Sequence, residues 1–283
     1  MWLRDTGSCV GLMAAGPRIA VVVPTYNWPE ALEAVLSSLA DQIYDRFEVV
    51  VADDGSGEET RRLVERFERD APFSVRHVWQ EDRGYRLSAI RNRAVASTDA
   101  DYLVNLDGDC PVPPDFLEGH ARLAERGFFV RGSRVRLEPD LTARVLQERL
   151  PVHRWSRARW LGLRTRGQID RFSPMLRLPL GPLRKTAPRK WDGAKGCNLA
   201  LWRDDYLAVN GFDEAYEEWG SEDNDLVVRL IRHGVHRKEG RYAVPVLHLW
   251  HESRARDPRN TRRFRERLAS DVVRIERGVS QYL

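Results

Sequence analysis

In NLDGDC, residues 105–110, two carboxylates, Asp107 and Asp109, stand two apart at the end of the apolar run DYLV. Like charges at that spacing repel, and a hard divalent cation such as Mg2+ or Mn2+, which takes oxygen ligands, would cancel the repulsion. The same residues also suit a polar turn at a strand end, because Asp and Gly are turn formers. A second acid pair, Glu222-Asp223, opens a segment whose apolar stripe is Leu226, Val227, Leu230 and Ile231. Carboxylates there complement the dipole of a helix start, or one of them serves as a general base on a hydroxyl. Trp219 and Gly220 precede that pair, and an aromatic face beside paired acids suits a sugar ring. HLWH sets His248 and His251 three apart at the end of another apolar run. An isolated histidine is usually structural, but this pair beside an acidic candidate offers imidazole ligands that Mn2+ accepts more readily than Mg2+. Asp53 and Asp54 follow a third apolar run and, with Thr25 and Tyr26, suit a nucleoside: a carboxylate accepts from a base N–H or a ribose hydroxyl, and Tyr26 stacks on the base. Read alone, DDGS is a turn followed by the N-cap Ser56.

The elements that must position these groups alternate. RIAVVVP (18–24) reads as a strand and PEALEAVLSSLADQ (29–42) as a helix with Leu32, Val35, Leu36 and Leu39 on one face. FEVVVAD leads into ETRRLVERFERD, SVRHVWQ leads into LSAIRNRAVAST, and DYLVNLD is a fourth strand. Such alternation predicts right-handed βαβ units: an α/β, Rossmann-like domain with a mostly parallel sheet and helices on both faces. Ligands of these sheets bind beyond the carboxyl ends of the strands, where Thr25, Asp53, Asp54, Asp107 and Asp109 fall. Further on, GFFVRGSRVRL (127–137) reads as one more strand, YAVPVLHLWH as a strand ending in the two histidines, and residues 257–277 as a charged terminal helix.

The chain has 283 residues, 42% of them hydrophobic, enough for a core. No apolar run approaches the roughly 20 residues that cross a bilayer, and the first residues lack the apolar centre of a secretory signal. Cys9, Cys110 and Cys197 are odd in number and without C-x-x-C spacing, which argues against a disulfide framework or zinc site and for a reducing cytosol. The net charge of +4 is uneven: between Arg144 and Lys190 eleven Arg and two Lys face only Glu148 and Asp170, a local balance of +11. That stretch reads as a solvated insertion, as a surface for an anionic membrane using Trp155, Trp160, Leu161, Leu163, Phe172, Met175, Leu176, Leu178 and Leu180, or as a binder of an anionic saccharide.

Taken together, VVVPTYNWPEALEAVLSSL, VVVADDGSGEET, RGYRLSAIRNRAVASTDADYLVNLDGD and GFDEAYEEWGSEDNDLVVRLIRHG resemble family 2 glycosyltransferases with the GT-A fold. The last two look like the bacterial chondroitin and hyaluronan polymerase catalytic domains and the WGGED element of β-1,4-galactosyltransferases. The resemblance covers roughly residues 18–252, with a nucleotide-binding half (18–110) and an acceptor half (111–252) that carries the basic insertion 144–190. Residues 1–17 would be a flexible extension and 253–283 a C-terminal helix. It implies an inverting, metal-dependent transfer of a sugar from a nucleotide-diphosphate sugar, a UDP-sugar foremost, to a saccharide hydroxyl. Thr25, Tyr26, Asp53 and Asp54 would hold the nucleoside, with Arg86 and Arg91 near the ribose or phosphates. Asp107, Gly108 and Asp109 would form the D-x-D element, binding Mn2+ or Mg2+ with His248 and, in galactosyltransferase fashion, His251. Trp219 and Glu222 would bind the acceptor and Asp223 would be the base. Family analogy further suggests single additions to a lipopolysaccharide core or other bacterial surface glycan, on saccharide or lipid-linked acceptors, in the cytoplasm or at the inner face of the cytoplasmic membrane.

Two other readings compete. A nucleotidyltransferase making nucleotide-sugars would need a glycine-rich phosphate loop after the first strand, and PTYNWPEA has no glycine there. Nucleic-acid binding through the arginine-rich stretch leaves the acids unexplained, since carboxylates repel phosphate without a metal.

Overall fold

A continuous β-branched run makes β1 (Ile19–Thr25), and all seven of its residues are buried, as in a central strand covered on both faces. The computed structural model describes residues 16–283, so nearly all of the expected N-terminal extension lies outside the described residues. Helix α1 (Pro29–Leu39) starts with proline at its first turn and buries Leu32, Val35, Leu36 and Leu39, the expected stripe. β2 (Phe47–Asp53), α2 (Glu58–Asp70), β3 (Ser74–Trp79), α3 (Leu87–Ala96) and β4 (Tyr102–Asn105) follow in the predicted alternation. After them come α4 (Phe116–Leu123), β5 (Phe128–Arg131), β6 (Ser133–Arg136), α5 (Pro139–Gln147), α6 (Arg157–Thr165), β7 (Leu199–Trp202), α7 (Arg203–Ala208), α8 (Glu222–Arg232), β8 (His236–Glu239), β9 (Pro245–His248) and α9 (Pro258–Ala269).

The main sheet has the order β3-β2-β1-β4-β7-β5-β8. Its pairs are parallel except those of β7, which runs antiparallel to β4 and β5. Alternation along β1 sends Ile19, Val21 and Val23 into one apolar layer, with α1, α2 and α4, and Ala20 and Val22 into the other, with α3, α7 and α8.

The stretch 127–137 is not one strand. It breaks at Gly132: β5 stays in the main sheet, while β6 leaves to pair in parallel with β9 in a second, two-stranded sheet. The reason is local packing. A Cβ on Gly132 would lie 2.1 Å from the Asn198 side-chain carbon, and the Asn198 amide donates to the Ser133 and Val244 carbonyls at 3.1 and 2.8 Å, in place of a continuing ladder. The terminal helix is also shorter than expected. α9 ends at Ala269, and the chain beyond it turns back to the body, where Val279 N–H donates to the Asn210 carbonyl at 3.0 Å and the Asn210 amide donates to the Ile275 carbonyl at 2.8 Å.

Much of the basic insertion is core. Trp160 is fully buried, packed with Leu141, Val145, Leu163, Ile169 and Met175 beneath Val135 and Leu247 of the small sheet and Leu249 just after it, and half-buried Trp155 lies 5.5 Å from its ring. The expectation that Trp155 and Trp160 offer an apolar face to a membrane is therefore corrected at Trp160: its indole completes an internal cluster. Several of the arginines are also committed within the protein. Arg177 makes a two-pronged pair with Asp115, both contacts at 2.9 Å, and Arg184 donates to the Glu239, Arg241 and Leu178 carbonyls. Among the described residues, no helix is long and apolar enough to cross a membrane. Trp160→Ala should lower the unfolding free energy by about 3–5 kcal/mol through loss of buried surface and the cavity left behind. Exposed Leu161→Ala should change it by less than about 0.5 kcal/mol, both read from chemical denaturation.

Candidate active site

The carboxyl ends of β1, β2 and β4 open on one cleft of about 490 Å³ that is also lined by the end of β9 and by the start of α8. Thr25, Tyr26, Asp54, Asp107, Gly108, Asp109, Trp219, Asp223, His248 and His251 all line it. Residues that were expected in different halves of the chain are thus brought together.

The two aspartates at the end of β2 divide their work. Asp54 reaches the cleft, accepting from the Arg86 backbone N–H at 2.8 Å and from the Gln80 amide, and burial raises its pKa against those donors. Asp53 turns inward instead. One oxygen accepts from Ser56 N–H at 2.7 Å and the other lies 2.9 Å from His77 Nε2, so it shapes the turn on which Asp54 rides. Tyr26, on the rim, donates its hydroxyl to Asp82 at 2.9 Å. Arg86 sends its guanidinium to the Glu81 carbonyl and does not line the cleft.

Arg91 lies under the cleft floor, 1% exposed, donating to Asp107 at 2.8 Å and to Asp223 at 3.2 Å, with its guanidinium 5.0 Å from the centre of the Phe212 ring. Burial opposes its charge, but Asp223, Asp107 and Glu222 more than offset that, and its pKa is raised. The same loss of water pushes the Asp107 carboxyl up to about 6, with Arg91 pulling it down and Asp109 and Asp223 pushing it further up. The second oxygen of Asp223 accepts the Gly196 N–H at 2.8 Å. A Cβ at 196 would lie 2.5 Å from Asp223 and 2.6 Å from Arg91, so any larger residue there would push the clamp apart. Asp223 is therefore clamped from two sides while one face of it stays open to the cleft.

The segment before α8 is sharply bent. Glu218 and Ser221 take φ of 65° and 75°, a left-handed backbone that costs non-glycine residues about 1 kcal/mol or more. The bend stands Trp219 out at the rim and tucks Glu222 beneath, where its carboxylate accepts the Gly220 N–H at 3.1 Å. Glu222 is 5% exposed and does not line the cleft. Its pKa is pushed up to about 7, by burial first and by Asp223 next.

At the opposite wall, His248 closes β9, and His251 follows on an irregular stretch whose Trp250 N–H donates to Thr142 at 2.9 Å. Their Nε2 atoms lie 3.8 and 3.3 Å from one Asp109 carboxylate oxygen. Backbone bonds hold this meeting: Leu247 N–H donates to the Pro111 carbonyl and Leu249 N–H to the Asp109 carbonyl, both at 2.9 Å. Burial lowers the His248 pKa, which keeps its imidazole neutral and able to donate a lone pair. A carboxylate with two imidazoles, next to a second carboxylate shared with Arg91, fits a Mn2+-type ion. Cys110 also approaches, donating its S–H to Asp109 at 3.2 Å, but burial pushes this thiol well up, and a neutral thiol is a poor ligand for a hard cation. Sequence reasoning missed Tyr85, Arg134, Lys195 and Arg254 in the lining. Arg134 was hidden inside what reads as one long strand, and no spacing rule marks the others.

Because Glu222 titrates near 4.5 when unfolded and near 7 when folded, the folded state holds the extra proton in between. Its contribution to stability is complete below the lower value and is lost as pH rises through the upper one. The unfolding free energy should fall by on the order of 1–3 kcal/mol more between pH 5 and pH 8 in the wild-type chain than in Glu222→Gln. Equal pH slopes in denaturant titrations of the two proteins would refute this.

A sequence profile described as glycosyl transferase family 2 matches residues 20–181, and one described as the N-terminal domain of galactosyltransferase matches residues 184–251. Validoxylamine A glucosyltransferase of Streptomyces hygroscopicus subsp. jinggangensis (strain 5008) is 32% identical over 237 residues, 77% of this chain and 52% of that protein. Chondroitin synthase of Escherichia coli is 28% identical over 240 residues, 76% of this chain and 32% of that protein. The chain thus spans about half or less of these curated relatives. Among solved structures, the mannosyltransferase PcManGT from Pyrobaculum calidifontis, in complex with GDP-Man and Mn2+, superposes with a TM-score of 0.58 at 22% identity, covering 90% of this chain and 62% of that one. S. aureus TarS 1-349 in complex with UDP-GlcNAc superposes with a TM-score of 0.63 at 15% identity, covering 94% and 69%. The sheet order and the flanking helices are those of the GT-A fold, and with the first profile matching more than half of its residues the chain belongs to glycosyl transferase family 2.

Proposed function

We propose that the protein transfers a sugar from a nucleotide-diphosphate sugar to a hydroxyl of a saccharide acceptor with inversion at the anomeric carbon, using a divalent ion, Mn2+ or Mg2+. The observation that carries this reading is the shared cleft, where Asp109, His248 and His251 on one wall face the clamped Asp223 on the other. Thr25, Tyr26 and Asp54, which line the same cleft, would receive the nucleoside. An ion at Asp109, His248 and His251, with Asp107 beside them, would supply positive charge against the departing diphosphate. Asp223 takes the proton of the acceptor hydroxyl as that oxygen bonds to the anomeric carbon from the face opposite the leaving diphosphate, whose bond to the sugar breaks. Trp219 gives the acceptor ring an apolar face at the rim. Arg91 and Glu222 act from below: Arg91 orients Asp107 and Asp223, and Glu222 braces the bend that presents Trp219.

Relatives named for glucosyl transfer to validoxylamine A and for chondroitin synthesis support a sugar-transfer reading. Neighbours holding GDP-Man with Mn2+ or UDP-GlcNAc support a nucleotide-sugar donor and a divalent ion. A surface glycan such as a lipopolysaccharide core remains the acceptor class we favour, by family analogy alone.

Calorimetric titration with UDP, GDP and TDP, with and without Mn2+, tests the donor site directly. Asp109→Asn should abolish the Mn2+ dependence of nucleotide affinity while circular dichroism stays native, and His248→Ala should weaken metal more than His251→Ala. Unchanged Mn2+ dependence in Asp109→Asn would overturn the metal assignment. Asp223→Asn should keep nucleotide affinity and lower transfer by roughly 10²-fold or more, the scale of a lost general base. Normal turnover in that variant would assign the base elsewhere, and a product retaining the donor's anomeric configuration would exclude inversion.

A further inference from the structure

A second cavity, of about 380 Å³, adjoins the cleft and shares Arg134, Lys195 and Cys197 with it. It lies across the turn at Gly196, under the point where the chain crosses from the main sheet to the small one. Its lining is strongly one-signed. Arg131 and Arg237 both reach Glu239, at 3.1 and 2.8 Å, and Arg241 approaches the same carboxylate at 3.7 Å, so one acid answers three guanidiniums. Arg171 bonds Asp170 at 2.9 Å, but Arg136 shares that acid at 3.2 Å. Lys190 stands 3.7 Å from Asp192 in an open pair. Arg134 and Lys195 make no ion pair among the described residues. Among the described residues, seven cationic side chains thus line a concave space with Asp192 as the one acid in its lining, and with Asp170 and Glu239 paired behind it.

A concave wall of one sign focuses its field and gathers counter-ions. The cavity is of ligand size, not a flat or apolar face of the kind a membrane or a nucleic acid would cover. It also lies apart from the nucleoside end of the cleft, since Thr25, Tyr26 and Asp54 do not line it. The wall between the two spaces is Gly196, whose N–H holds Asp223.

We propose that this pocket is an anion subsite for the acceptor, so that the saccharide this protein extends carries a phosphate or a carboxylate. The inference rests on the transfer reading above, in which Asp223 meets the acceptor hydroxyl. An anionic group seated among Arg171, Lys190 and Arg241, with Arg134 and Lys195 at the passage, anchors the acceptor while a hydroxyl reaches over the Gly196 turn to Asp223.

The test is calorimetry on the protein saturated with UDP and Mn2+, titrated with glucose 6-phosphate, glucuronate and uncharged glucose. Both anions, or one of them, should bind at low salt and weaken as salt rises, and glucose should not bind comparably; the tighter of the two probes identifies the group. The triple variant Arg171→Gln, Lys190→Gln, Arg241→Gln should lose about tenfold or more in anion affinity with UDP affinity unchanged. These side chains are each more than half exposed, so the fold survives their replacement. Absence of binding by either anion, equal affinity for glucose, or an unaltered anion affinity in the triple variant would overturn the subsite. If the wild-type chain bound no UDP while the anion still bound and still depended on the three residues, the subsite would stand and the donor reading would fall.

Discussion

Arg91 is the constraint around which the site is organised. It rises from α3, in the N-terminal half of the chain, and spends its buried charge on Asp107 just after β4 and on Asp223 at the start of α8. A guanidinium without water is tolerable only when carboxylates compensate it, and those carboxylates are tolerable in their turn only because it is there. The arrangement ties chain segments 132 residues apart. It also holds two acids close to one another and to the cleft, where their mutual repulsion would otherwise drive them apart. Burial first, and Asp223 next, push the Glu222 pKa up to about 7, with Arg91 opposing them.

A second constraint operates at the opposite wall. β9 is not an extension of the main sheet, and it is fixed by pairing with β6 and by backbone bonds to the segment just after Asp107-Gly108-Asp109. Those bonds, more than any side-chain attraction, bring His248 to Asp109. The strand can lie there because the chain leaves the main sheet at Gly132, where the Asn198 side chain takes over the hydrogen bonding of the interrupted ladder. One crossing therefore serves both spaces: it carries β6 toward the histidines and opens the basic cavity beneath.

The insertion between α5 and the Gly196 turn joins two physical roles that share one composition. Its apolar residues, Trp160 foremost, build a third core cluster that supports the small sheet from below. Its cations are divided among internal partners, as with Arg177 on Asp115 and Arg184 on backbone carbonyls, the open wall of the basic cavity, and solvent, where Arg157, Arg164 and Arg166 are exposed. Charge in this region is thus partly mortar and partly surface, and among its exposed cations Arg171 and Lys190 are the ones that face the cavity.

Much of this was legible in the amino-acid order. The alternating β-branched runs and helical stripes determined the parallel half of the sheet, because burial on both faces demands continuous apolar strands. The rule that ligands meet the carboxyl ends of such strands put Thr25, Asp54, Asp107 and Asp109 at one rim. What the sequence could not decide was partnership. Asp53 and Asp54 are neighbours of identical chemistry, yet a turn sends one to Ser56 and His77 and the other to the cleft. Glu222 and Asp223 are a pair on paper, but the left-handed bend at Ser221 buries the first and exposes the second. The resemblance sets Arg91 near the ribose or phosphates, and its guanidinium is buried as a clamp on Asp107 and Asp223; one reading makes Trp160 an amphipathic anchor, and it is core. In each case the residue's type was visible and its direction was not, because side-chain direction follows from packing between segments far apart in the chain, which no local spacing encodes.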